Sequence, residues 1–197
     1  MTSLRHNGPD VARSTADLAL DAARESILAV GWSRTTLTEV ARRAGVSRMT
    51  LYRTWPDMGG LLADLMTREW SDLVRVDTGG TDALDRLVRS CVDTVRAVRA
   101  NPLFARIVEL DPELLLPYLL ERPGRSQRLV VEEIAGQVRA GQRTGEIRAG
   151  EPERLARSIV LACHGFTLSV HTMTGRGTTE AQLDEELAAM LAGYLRP

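Results

Sequence analysis

Lysine is missing from the 197 residues, and all 25 basic side chains are arginines. The absence reads as a mark of GC-rich coding and carries no functional weight. Aromatic residues make up 4% of the chain and β-branched runs are few, which leaves little to build sheets from. The two cysteines, Cys91 and Cys163, lie far apart in sequence. They cannot make a disulfide scaffold or a zinc motif, and they read as small buried hydrophobes rather than a redox pair. No apolar run approaches the ~18 residues that a membrane span needs. The longest candidate, Ser158 to Val170, is interrupted by His164 and small polar residues. Met1 to Arg13 is polar and lacks the apolar core of a secretory leader. The expected setting is therefore cytoplasmic, with no membrane partner. The sequence has no phosphate loop, no Gly-x-Ser-x-Gly and no Cys/His zinc pattern. An enzyme, a cofactor and a metal site are accordingly not expected. The acidic groups Glu132–Glu133 and Asp184–Glu185–Glu186 read as solvated helix surface. The net charge of −1 excludes a polycation, so any contact with nucleic acid must come from a local patch.

Hydrophobic residues at 44% and charged residues at 26% suit a chain that folds, and the abundance of Leu, Ala, Val and Arg favours an all-α fold. Residues 1–13, with the breaker Asn7-Gly8-Pro9, read as a flexible arm. A helix is expected over about 14–30, ended by Gly31, and two short ones over about 37–44 and 48–55. Pro56-Asp57 breaks the chain, and Asp57 is placed to cap a longer helix carrying Leu61, Leu62, Leu65, Met66 and Leu73. Asp77-Thr78-Gly79-Gly80 is the best boundary. Beyond it, Leu84, Leu87, Val88, Cys91, Val95 and Val98 mark an amphipathic helix. Prolines at 102, 112 and 123 divide the next stretch into short helices. Three further helices are expected over about 126–143, 152–173 and 179–195. The sequence shows no credible strand pair.

The segment from Thr36 to Trp55 is the most informative. Thr36 and Glu39 have the spacing of a capping box. Val40 and Ala44 face inward one turn apart, Ala41 allows close helix crossing, and Gly45 suits a sharp left-handed exit. Val46 plugs the turn and Ser47 caps a second helix, which buries Leu51 and Trp55. Arg48, Met49, Thr50, Tyr52 and Arg53 remain on or near the open side. These suit a helix laid in a major groove: arginine for guanine edges or phosphate, threonine and methionine for a thymine methyl, tyrosine for phosphate. Five arginines and one carboxylate between Arg34 and Trp55 make a local basic patch.

These residues, with Pro56-Asp57 and the Leu61-Leu62 pair, resemble the DNA-binding domain of the TetR family of transcriptional regulators over residues 14–75. The rest of the chain matches that family only in length and helix content. The resemblance implies an N-terminal three-helix helix-turn-helix domain (14–57), a connecting helix (58–76) and a larger helical effector-binding and dimerisation domain (77–197). It further implies phosphate or base contacts from Thr36, Ser47, Arg48, Met49, Thr50, Tyr52 and Arg53. The sequence departs from the family at Met58, where a phosphate-binding lysine is usual, and at Gly59-Gly60, where polar helix formers are usual. A late or loose start to that helix is expected, with either weaker backbone anchoring or compensation by Arg34.

One recognition helix reads few base pairs, so a symmetric dimer on double-stranded DNA is expected. Helical stripes of Ile159 and Phe166, and of Leu183, Leu187, Met190, Leu191 and Tyr194, are the candidates for the homodimer interface. Cys91, Val95, Phe104, Ile107, Leu110 and Tyr118, with polar Glu109, His164 and His171, are the candidates for a small-molecule effector pocket. His164 and His171 share a helix face but lack a third metal ligand. The resulting expectation is a repressor released from a palindromic operator by a small, largely apolar effector. Two alternatives stay open: a ligand-independent DNA-binding dimer, and a helical carrier or enzyme that has lost DNA binding.

Overall fold

A computed structural model describes residues 14–74, 79–121 and 123–197, without the side chains of residues 71–74 and Tyr118. The expected arm at 1–13, the boundary residues Asp77 and Thr78, and the Tyr118 side chain lie outside that description. The described chain is a succession of helices, and its only bridge of the β type is an isolated pairing of Gly175 with Thr178.

Most of the helices begin where a side chain can satisfy their free amides. Helix α1 (Thr15–Val30) is opened by a reciprocal box between Ser14 and Asp17 and ends at Gly31. Helices α2 (Leu37–Ala44) and α3 (Arg48–Thr54) form the helix-turn-helix. Helix α4 (Met58–Val74) begins on Asp57, whose carboxylate accepts from the Gly60 amide at 2.8 Å. The glycine pair therefore does not delay the helix, as its weak propensity suggested. The Asp57 cap offsets that propensity, and Met58 packs against the neighbouring core.

Helix α5 (Ala83–Ala100) is capped by Asp82, and α6 (Pro102–Leu110) by Asn101 with a proline in its first turn. A single 3₁₀ turn (Pro112–Leu115) and the short α7 (Leu116–Leu120) follow. The long helices α8 (Arg125–Thr144), α9 (Pro152–Met173) and α10 (Glu180–Leu195) complete the fold.

Two hydrophobic cores result. The first gathers Ala19, Ala23 and Ile27 of α1, Val40 and Ala41 of α2, Leu51 of α3 and Leu61 and Leu65 of α4. Leu103 and Ile107 of α6 join it, so a helix beyond the sequence boundary closes the N-terminal core. The second core is built from Leu87 and Val95 of α5, Ile134 and Val138 of α8, Leu155 and Ile159 of α9, and Leu187, Leu191 and Leu195 of α10.

Buried carboxylates pin both units. Asp111, just past α6, accepts from the amides of Trp32 (2.8 Å) and Ser33 (3.1 Å) and from the Ser33 hydroxyl. It thereby ties α6 to the loop between α1 and α2. Burial pushes the Asp111 pKa up, but the bonds from Ser33 and the Trp32 amide outweigh it and hold the carboxyl below its ordinary value.

Asp184 does not belong to the solvated acidic surface expected of the 184–186 run. Its side chain is 3% exposed, and both oxygens face Arg99 (2.8 and 2.7 Å), with Arg96 at 2.8 Å on the second. The helical spacing turns Asp184 inward beside Leu187 and Leu191, whereas Glu185 and Glu186 point to solvent.

Removing one partner of such a buried pair leaves the other charge uncompensated. Asp184→Ala is therefore expected to cost about 3–5 kcal/mol in urea unfolding, and a loss below about 1 kcal/mol would count against this role for the pair. For Asp111, the lowered carboxyl contributes stability above its ordinary pKa, and that contribution is lost as pH falls through the lowered value. Wild type should lose more thermal stability over that acid range than Asp111→Asn, which circular dichroism melts would register.

Candidate nucleic-acid interface and internal cavity

The turn between α2 and α3 has the geometry its sequence calls for. Gly45 adopts the left-handed conformation (φ 68°, ψ 25°). Its amide donates to the Arg42 carbonyl at 3.3 Å, and the Val46 amide donates to the Ala41 carbonyl at 3.0 Å. These two bonds form a Schellman closure that ends α2 sharply. Ser47 then caps α3, its hydroxyl accepting from the Thr50 amide at 3.1 Å. Leu51 and Trp55 anchor α3 from beneath, both nearly inaccessible.

The capping box expected of Thr36 and Glu39 is only half made. Thr36 accepts from the Glu39 amide, but the Glu39 carboxylate turns to the Arg42 guanidinium at 2.6 Å. That bond also holds the Glu39 carboxyl below its usual range. A charged partner one turn away outcompetes a neutral backbone amide.

Arg34, Thr36, Ser47, Arg48, Met49, Tyr52 and Arg53 all lie at the surface, and Thr50 is half-buried. Met49 is 80% exposed, an unusual position for a large apolar side chain. Residues 48, 49, 52 and 53 share one face of α3. Arg42 and Arg43 of the basic patch are engaged by Glu39 and Glu25. Among the described residues, Arg48 and Arg53 form no ion pair. The Arg34 Nε donates to the Val30 carbonyl at 2.8 Å, which lays that side chain along the end of α1.

Behind this surface, a largely apolar cavity of about 190 Å³ opens between α4, α5, α6, α8 and α9. Cys91, Val95, Phe104, Ile107 and His164 of the expected pocket line it. Burial lowers the His164 pKa, so the imidazole is neutral near pH 7, and its Nε2 stands 3.4 Å from the Gln127 amide nitrogen. The thiols of Cys91 and Cys163 meet in the wall. The hydrogen bond to Cys163, reinforced by burial, pushes the Cys91 thiol well up.

Three expected residues lie elsewhere. Glu109 is on the outer side of α6, paired with Arg106 at 3.1 Å, because two residues beyond Ile107 is about 200° round the helix. Leu110 is partly exposed and sits against Gly31 at the α1 end. His171 shares a face with His164 but is carried about 10 Å further along α9, where it pairs with Glu180 at 2.9 Å.

Sequence reasoning missed the contribution of α4 to this wall: Leu62, Ala63, Met66 and Trp70. Their four-residue spacing (62, 66, 70) was the signal. The same helix carries Asp64, whose Oδ2 accepts from the Trp55 indole at 2.8 Å and whose Oδ1 accepts from Arg125 at the start of α8 at 2.5 Å.

The expected dimer stripe divides as well. Ile159, Leu187 and Leu191 are in the chain's own core and have no surface to offer a partner. Phe166 and Leu183 are half-buried. Tyr194 stays 38% exposed, with the Arg148 guanidinium 4.5 Å from its ring centre. Met190 is exposed, and Leu161, outside the expected stripe, is 71% exposed.

A capped helix-turn-helix with an outward cationic and apolar face, on a helical body with a cavity, defines a DNA-binding regulator of the TetR type. Residues 19–65 match the family described as bacterial regulatory proteins, tetR family. An uncharacterised HTH-type transcriptional regulator of Mycobacterium tuberculosis is 34% identical over 181 residues, 92% of this chain and 94% of that one. Among solved structures, the R. erythropolis transcriptional repressor QsdR superposes with a TM-score of 0.68 at 19% identity, covering 93% of this chain and 96% of that one. The TetR family repressor AlkX from Dietzia, implicated in biodegradation of n-alkanes, gives 0.67 at 20% identity, with 92% and 95% covered. The chain belongs to the tetR family, whose members are transcriptional regulators and not enzymes. No helix among the described residues is long and apolar enough to cross a membrane.

A Cβ at residue 45 would meet nothing within 4 Å, so Gly45→Ala isolates the backbone term. It is expected to lower unfolding stability by about 1–2 kcal/mol through left-handed strain alone. An unchanged urea midpoint would show that the turn relaxes to another conformation.

Proposed function

We propose that the chain is a homodimeric cytoplasmic repressor that holds a palindromic operator through paired α3 helices and releases it when a small, largely apolar effector occupies the cavity. The observation that carries the DNA contact is the open face of α3. Arg48 and Arg53 form no ion pair among the described residues, and they stand beside exposed Met49 and Tyr52 on a helix fixed from below by Leu51 and Trp55. Desolvating a free guanidinium against phosphate or guanine costs less than breaking an existing pair, which sets these two apart from Arg42 and Arg43. Thr36, Ser47 and Thr50 flank them with hydroxyls, and the remaining guanidinium N–H groups of Arg34 reach phosphate from the α1 side. Met58 takes no part.

Release follows from the way α4 is shared. Leu61 and Leu65 are in the helix-turn-helix core, while Leu62, Met66 and Trp70 wall the cavity. Asp64 links Trp55, at the end of α3, to Arg125, at the cavity rim. A ligand that favours a displaced α4 thereby favours a displaced α3, a population shift set by its differential affinity for the two states. That QsdR and AlkX are repressors supports the direction of regulation. The dimer face is the outer side of α9 and α10, where exposed Leu161 and Met190 lie among small residues, Gly165 and Gly193, that permit close helix approach.

With a duplex selected from a random pool as the operator, Arg48→Ala and Tyr52→Phe are each expected to weaken binding about ten-fold or more, with the sedimentation coefficient unchanged. Wild-type affinity in both variants would remove α3 as the recognition helix. Leu161→Glu combined with Met190→Glu is expected to sediment as a monomer. A dimer in that double variant would place the interface elsewhere.

A further inference from the structure

The polar groups of the cavity sort the ligands it accepts, and this inference rests on the cavity being the effector site. Trp70 lines the wall from α4 in a T-shaped pair with Phe104, the centroids 5.9 Å apart and the planes at 86°. Its indole N–H is buried and has no acceptor among the described residues, whereas the Trp55 indole is satisfied by Asp64. Buried donors left without an acceptor are rare in native proteins, because water has been removed and nothing replaces it.

The other polar lining groups are occupied or neutral. The Thr167 hydroxyl donates to the Cys163 carbonyl at 2.8 Å, and Gln137 donates to Glu133 at 3.0 Å. His164 is uncharged near neutral pH. The cationic lining residue, Arg125, is more than half exposed and held by Asp64 at 2.5 Å. Glu133 is also exposed. Among the described residues no cation faces the interior, so an anion placed there would lose its hydration without gaining a counter-charge from them.

The geometry points to an uncharged ligand: an apolar body with one carbonyl-type oxygen that accepts the Trp70 N–H. At about 190 Å³ the cavity is somewhat larger than the apolar cavity of ~150 Å³ that takes benzene. A ligand of about eight to ten non-hydrogen atoms fits that space. Ketones, esters and lactones of that size belong to the class, whereas the corresponding carboxylates do not.

The test compares 2-octanone, octanoate and octane as probes of the full chain by calorimetric titration near neutral pH, in wild type, Trp70→Phe and Thr94→Trp. Wild type is expected to bind the ketone about ten-fold or more tighter than octanoate and about five-fold tighter than octane. Trp70→Phe keeps the ring, so the octane Kd should stay while the ketone's advantage over octane disappears. Octanoate binding as tightly as the ketone, or an advantage that persists in Trp70→Phe, overturns the ligand class and leaves the cavity as the effector site. Binding that survives the filling of the cavity in Thr94→Trp, or wild type binding none of the three while still holding duplex DNA, overturns the effector site itself and this inference with it.

Discussion

Helix α4 is buried on two sides at once, and most of the architecture follows from that constraint. Its Leu61 and Leu65 are inaccessible within the helix-turn-helix core, and Leu62, Met66 and Trp70 face the cavity. Burying Leu61, Leu62 and Leu65 is worth about 1.5–3 kcal/mol each, so neither contact is easily given up. Asp64 adds direction to the shared helix. Its two oxygens hold groups on opposite sides, the Trp55 indole below α3 and the Arg125 guanidinium at the start of α8. A shift of α4 against either neighbour must break or carry one of those bonds.

The second junction works in the same manner. Helix α6 contributes Leu103 and Ile107 to the first core, and Asp111 fastens its far end to Trp32 and Ser33. The N-terminal unit is thus closed by a helix from the other side of the boundary. The C-terminal unit is stiffened independently by the Arg96–Asp184–Arg99 cluster between α5 and α10. The helix-turn-helix unit and the helical body are thus joined at α4 and α6, and under the proposed mechanism a change in the cavity reaches α3 through these two helices.

What the sequence made legible were features governed by local rules. Thr36, Ser47 and Asp57 announced helix starts, and Gly31 and Gly45 announced ends, because caps depend on a few consecutive residues. The open face of α3 was legible for the same reason. Features set by packing between distant elements were not. Periodicity gave Ile159, Leu187 and Leu191 an apolar face but could not say whether that face met the chain's own core or a partner. Asp184 read as surface because its counter-charges, Arg96 and Arg99, lie on another helix. Glu109, Leu110 and His171 were grouped with the cavity by type, although helix phase or length carries each of them away from it. Trp70 was overlooked because its spacing from Leu62 and Met66 marks a shared face of α4 but does not tell a cavity wall from a core.

The salt dependence of duplex DNA binding by the intact chain tests the role of α3 most directly. Each neutralised phosphate releases counterions, so the logarithm of the binding constant falls linearly with the logarithm of salt concentration. With Arg34, Arg48 and Arg53 presented twice by a dimer, the predicted slope is about −4 to −6. Absence of duplex binding, or a slope near zero, would contradict the assignment of α3 and its arginines to DNA.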